Sequence, residues 1–154
     1  MITINYNYVL LAEDDEDDCS LFEEAFSELN LSLELKMVRN GVELFQFLEK
    51  PGHQLPQLIF LDINMPLKNG FQCLGEMKQN NRLKQIPVII YSTTYHNNDV
   101  NHAYQNGAYY YVRKPNSFNE LKKIIQKVLV NNWAGNLFQP SREKFLVFYE
   151  DKYC

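Results

Sequence analysis

Five short apolar runs, each followed by a segment with helical spacing, constrain this chain more than any other feature. The runs are Tyr8–Ala12, Leu33–Val38, Leu58–Asp62, Pro87–Tyr91 and Ala108–Arg113. Each is too brief for a helix, and a continuous apolar run bounded by turn residues suits a strand buried on both faces of a parallel sheet. Between them, apolar residues recur every three or four positions. Phe22, Ala25, Phe26 and Leu29 mark a first helix beginning at Asp15 or Glu16, and Leu44, Phe45 and Leu48 a second that stops before Pro51-Gly52. Phe71–Gln79 reads as the third and Asn98–Asn106 as the fourth, with Gly107 placed to end it in a left-handed conformation. Leu121, Ile124, Ile125, Val128 and Leu129 line the inner face of a last helix over about Ser117–Asn131.

Strand and helix alternating five times call for an α/β fold, a doubly wound five-stranded parallel sheet with helices on both sides. Right-handed crossovers leave few topologies, and the flavodoxin-like strand order 2-1-3-4-5 is the expected one. Residues 134–154 do not share the rhythm. Ala134-Gly135-Asn136 breaks the last helix, and Phe145–Tyr149 is an apolar cluster whose form, strand or helix, the pattern leaves open. The expected division is therefore a domain over 1–133 and a C-terminal extension over 134–154, with no separate output domain.

In such a sheet all strand C-termini share one edge, where ligands bind. That edge receives Glu13 and Asp14 from strand one, Asp62 from strand three, Ser92 from strand four and Lys114 from strand five. Two unit charges about 4 Å apart repel by roughly 4 kcal/mol at an effective dielectric near 20, so three converging carboxylates need protons or a cation. Oxygen-only ligands with room for water describe Mg²⁺. Lys114 adds a mobile point charge suited to phosphate, and Ser92 one hydrogen bond. Such a set can transfer a phosphoryl group: Asp62 is the natural nucleophile, Glu13 and Asp14 being needed for the metal, and an aspartyl phosphate is the product.

These residues carry a resemblance. Over roughly residues 6–133 the chain resembles the CheY-like response-regulator receiver domain: the acidic pair Glu13-Asp14, Asp62 followed by Met65-Pro66 and Gly70, then Ser92, then Lys114-Pro115, in order and each closing a strand. The acidic pair is Glu-Asp where Asp-Asp is commoner. The resemblance implies a two-component signalling protein whose Asp62 takes a phosphoryl group from a histidine kinase or phosphotransfer protein. It further implies metal ligation by Glu13, Asp14, Asp62 and the Asn64 backbone carbonyl, a switch of Ser92 and Tyr111, and a cis Lys114-Pro115 peptide. Within the family the chain looks most like single-domain receivers that serve phytochrome-type kinases.

Plainer readings stand beside these. Asp17 and Asp18 read as the solvated acidic start of a helix, favoured by its positive end. His53, His96 and His102 lack metal-ligand spacing, and Cys19 and Cys73 read as helix packing residues, with Cys154 far from both. Three cysteines without a C-x-x-C pair fit a reducing, cytoplasmic setting. A net charge of −4 and scattered basic residues leave no nucleic-acid footprint, and no run reaches membrane-spanning length. Two rival functions remain: a phosphorylation-independent adaptor, and a haloacid-dehalogenase-like phosphatase, which wants a second Asp where this chain has Asn64. A downstream protein partner is expected but not named, and the extension could cover an output face, pair across a homodimer or pack on the chain's own core.

Overall fold

The computed structural model describes residues 8–52, 54–133 and 139–147. It comprises β1 (Tyr8–Ala12), α1 (Glu16–Glu28), β2 (Glu34–Val38), α2 (Gly41–Leu48), β3 (Leu58–Leu61), α3 (Gly70–Gln79), β4 (Val88–Ser92), α4 (Asn97–Gln105), β5 (Tyr110–Arg113), α5 (Phe118–Trp133), α6 (Arg142–Phe145) and β6 (Leu146–Val147). All strand pairings are parallel, in the order β2-β1-β3-β4-β5-β6. The expected 2-1-3-4-5 sheet is thus present, extended by a short sixth strand that pairs Tyr111 with Leu146 and Val112 with Val147.

Two-residue alternation along each strand divides the core into two layers. Leu10, Ala12, Ile59, Leu61, Val88, Ile90 and Tyr111 face one side, where Leu44 and Leu48 of α2, Leu74 and Met77 of α3, and Val100 and Ala103 of α4 cover them. Val9, Leu11, Leu58, Phe60, Ile89, Tyr91 and Val112 face the other, against Phe22 and Phe26 of α1 and Leu121, Ile125 and Val128 of α5. Each fully buried side chain of this size contributes roughly 1.5–3 kcal/mol of transfer free energy. That explains why apolar runs without polar alternation fold as central strands. Cys19 and Cys73 are free and buried, as helix packing residues should be.

Local signals set the helix starts. Asp15 caps α1 by accepting from the Asp18 backbone N–H, Asn40 caps α2 from Glu43, and Asn69 with Gln72 forms a full capping box at α3. At α4 the N-cap is His96, without a side-chain bond, and Asn97 already lies inside the helix. Gly107, at φ 88°, takes the left-handed conformation expected of it, and its N–H donates to Tyr104 O at 3.1 Å.

The extension packs on the body through its described part. Gln139 Nε2 donates to the carbonyl oxygens of Tyr104 and Ala108 at 2.7 and 2.8 Å, and the Tyr104 hydroxyl donates to Pro140 O at 3.0 Å. Phe145 is fully buried against Tyr104 and Tyr111. The apolar cluster begun at Phe145 therefore splits between the end of α6 and β6. Ala134-Gly135-Asn136, Phe148, Tyr149, His53 and Cys154 lie outside the described residues. Among the described residues no helix is long and apolar enough to cross a membrane.

Candidate functional site

The strand ends meet as the topology requires. β1 and β3 are neighbours, and the Asp62 N–H donates to Ala12 O at 3.0 Å, so Glu13, Asp14 and Asp62 leave the sheet side by side. One carboxylate oxygen from each lies within 4.8 Å of the others. Glu13 and Asp62 are buried, whereas Asp14 is exposed. β3 closes at Leu61, one residue earlier than expected, which puts Asp62 first in the loop. Gly70 then packs against that loop, its N–H donating to Ile63 O at 2.9 Å. In the same loop Leu67 stands at φ 69°, a left-handed conformation that costs a non-glycine residue roughly 1–2 kcal/mol.

Lys114 arrives from β5, where its N–H donates to Ser92 O at 2.8 Å and ties the ends of β4 and β5 together. Its side chain is 9% exposed, and its ammonium lies 2.7 Å from Glu13 Oε2, 2.8 Å from Asp18 Oδ2 and 3.7 Å from Asp62 Oδ2. It also sits 5.2 Å from the centre of the Tyr91 ring. Burial works against the ammonium, but its hydrogen bond to Asp18 and the nearby Glu13 and Asp62 carboxylates outweigh it, so Lys114 holds its proton more tightly than a free lysine. Burial pushes Asp62 up to about 7; Lys114 pulls the other way, Glu13 adds to the rise, and a hydrogen bond from the Asn64 backbone lowers it.

Glu13 Oε1 accepts from the Asp15 N–H at 3.1 Å. Its Oε2 is close enough to Lys114 for an ion pair but is not aligned for a hydrogen bond. It is the one buried side-chain oxygen among the described residues left without a hydrogen-bond partner. A buried carboxylate oxygen that accepts no hydrogen bond, beside two further carboxylates, is the donor set of a hard divalent cation, and the residues fit one.

Ser92 is fully buried, and its Oγ accepts from the Thr94 N–H at 3.1 Å. The Tyr111 hydroxyl donates to the Thr94 carbonyl oxygen, with its ring turned into the core. Burial pushes that hydroxyl up to about 12, against a lowering hydrogen bond with Ser92. Ser92, Thr94 and Tyr111 thus form one bonded group beside Lys114.

Two expectations are corrected. No peptide bond among the described residues is cis, so Lys114-Pro115 is trans, the isomer an X–Pro bond prefers by about 0.5–1 kcal/mol. Asp18, read as part of a solvated helix start, instead bonds Lys114. A signal for it existed: Asp18, Phe22, Ala25 and Leu29 follow one helical stripe, and Phe22 and Ala25 are buried under the sheet.

Residues 9–126 match the response regulator receiver domain, and the chain belongs to that family. It is a receiver-domain response regulator of two-component signal transduction. It is 31% identical over 130 residues to the probable methanogenesis regulatory protein FilR2 of Methanothrix harundinacea, covering 82% of this chain and 83% of that protein. It is 34% identical over 124 residues to response regulator Rcp1 of Synechocystis, covering 78% and 84%. The crystal structure of the phosphorylated cyanobacterial phytochrome response regulator RcpA superimposes with a TM-score of 0.77 at 30% identity, over 88% of this chain and 99% of that one. The Mn²⁺-bound form of Rcp1 gives 0.74 at 32%, over the same shares.

Proposed function

We propose that Asp62 is the phosphoacceptor of this response regulator, and that Glu13, Asp14, Asp62 and the Asn64 carbonyl bind the Mg²⁺ the reaction needs. One observation carries the reading. A buried carboxylate is set between an acid pair, one of whose buried oxygens accepts no hydrogen bond, and a lysine ammonium 3.7 Å away. A metal held there supplies positive charge to the phosphoryl oxygens. That the relative Rcp1 has a Mn²⁺-bound form supports a divalent ion in this protein.

The chain's own residues do the rest. An Asp62 carboxylate oxygen attacks phosphorus in line. A P–O bond forms, the P–N bond of a donor phosphohistidine breaks, and the imidazole leaves with the electron pair. Lys114 moves onto a phosphoryl oxygen, and Ser92 gives its hydroxyl hydrogen to another. Turning Ser92 toward Asp62 breaks its contact with Thr94. The Thr94 carbonyl that holds the Tyr111 hydroxyl moves with it, so the α4–β5 face changes shape. Water later attacks the aspartyl phosphate and releases inorganic phosphate, restoring the carboxylate. The chain is a phosphoacceptor rather than an enzyme acting on a separate substrate.

The donor is a sensor histidine kinase or phosphotransfer protein, and the likeness to RcpA and Rcp1 favours a phytochrome-type kinase. Residues 1–133 form the receiver and 134–154 an extension of it, working in the cytoplasm on a downstream protein through the switched face. Asp62→Asn is expected to abolish labelling by acetyl phosphate in Mg²⁺; undiminished labelling would refute the assignment.

A further inference from the structure

Among the described residues Lys114 has three carboxylate neighbours, Glu13, Asp18 and Asp62, and they are not equivalent. Glu13 and Asp62 belong to the cluster that fits a cation, whereas Asp18 stands outside it, on α1. The Lys114–Asp18 contact is an aligned hydrogen bond of 2.8 Å, the contact with Glu13 is unaligned, and Asp62 is 3.7 Å away. Asp18 is also held at a fixed place. Its N–H donates to Asp15 Oδ1 at 2.9 Å, and the next residue, Cys19, is buried with its Sγ donating to Glu13 O. When Glu13 and Asp62 turn to a cation, Asp18 is the carboxylate that remains to Lys114.

We infer that Asp18 is a positioning residue that competes with the incoming phosphoryl group for the Lys114 ammonium, and so slows phosphorylation of Asp62. This rests on Asp62 being the phosphoacceptor. With acetyl phosphate, the P–O bond to Asp62 forms as the donor's P–O bond breaks and acetate leaves with the electron pair. Lys114 balances charge on the transferring oxygens only so far as Asp18 releases it. A partly exposed ion pair is a modest brake rather than a lock.

The full chain and its Asp18→Asn, Asp18→Glu, Lys114→Ala and Asp18→Asn/Lys114→Ala variants are labelled with acetyl phosphate at saturating Mg²⁺, and each is titrated separately with Mn²⁺ alone. Asp18→Asn is expected to take label about fivefold faster than the natural chain, with Asp18→Glu returning toward the natural rate. In the Lys114→Ala background the Asp18→Asn acceleration is expected to vanish, since the effect runs through the ammonium. The Mn²⁺ titration needs no phosphoryl group: Asp18→Asn should bind the ion about threefold more weakly, as the ammonium settles on Glu13 and Asp62. An unchanged or slower rate in Asp18→Asn, acceleration that survives without Lys114, or unaltered Mn²⁺ binding each overturns the inference. A natural chain that binds Mn²⁺ yet takes no label overturns the phosphoacceptor reading itself, and this inference with it.

Discussion

The ring of Tyr111 meets that of Phe145 edge-on, with centroids 6.5 Å apart. The aromatic member of the Ser92–Thr94–Tyr111 group therefore rests on the segment that adds β6 to the sheet. Phe145 is fully buried and also packs on Tyr104 at 5.0 Å. Phe145→Ala is expected to cost about 3–5 kcal/mol, the usual range for a buried phenylalanine. It should also speed amide exchange across 104–111. Urea unfolding and hydrogen exchange check both; a loss below about 1 kcal/mol would mean that the extension does not help hold the body.

Asp62 gives a pH signature in metal-free protein. Its folded value of about 7 lies above the ordinary 3.8, so the folded chain binds this proton more tightly than the unfolded one. The stability linked to it is present in full below about pH 4 and is lost as pH rises through about 7. Asp62→Asn resembles the protonated form and does not titrate. The variant's advantage in urea unfolding with chelator present is expected to grow between about pH 4 and 7 and then level off. A constant difference would refute the raised value. Divalent ions compete with the same proton, so their affinity should rise over this window.

Lys114 both neutralises the acid cluster and serves the phosphoryl group, and Lys114→Met separates the two roles. Without the ammonium, Glu13 and Asp62 lose the cation 2.7 and 3.7 Å away, so a divalent ion should bind more tightly in calorimetry. Labelling by acetyl phosphate should nevertheless fall roughly 100-fold, the usual cost of removing one charge-stabilising donor. Faster labelling would show that charge neutralisation was its whole contribution.

Gly70 sets how closely α3 approaches the loop carrying Asp62. A Cβ there would stand 2.3 Å from Asp62 O and 2.8 Å from Ile63 Cα, backbone atoms that cannot rotate away. Gly70→Ala is expected to cost about 1–3 kcal/mol and to displace the carboxylate enough to cut labelling tenfold or more. Gly75→Ala is the control: nothing lies within 4 Å of its Cβ position, and inside α3 it should stabilise by up to about 1 kcal/mol, read by thermal unfolding.

The alternation of strand and helix, the two-sided core and the gathering of Glu13, Asp14, Asp62, Ser92 and Lys114 at one edge were all legible in the amino-acid order. Hydrophobic period and strand length are local properties, and once the sheet is parallel its strand ends share one edge whatever the loops do. The boundaries drifted by a residue or two, as at Leu61 and Asn97, since the apolar pattern does not mark the terminal residue of an element. Pairings across the fold had no such local mark. Asp18 and Lys114 are 96 residues apart: the helical stripe places Asp18 on the sheet side of α1 but does not name the ammonium it meets. The seating of Phe145 against Tyr111 and the strand after it were likewise decided only when separate segments met in the fold. Periodicity determined which residues face inward; three-dimensional packing determined which of them touch.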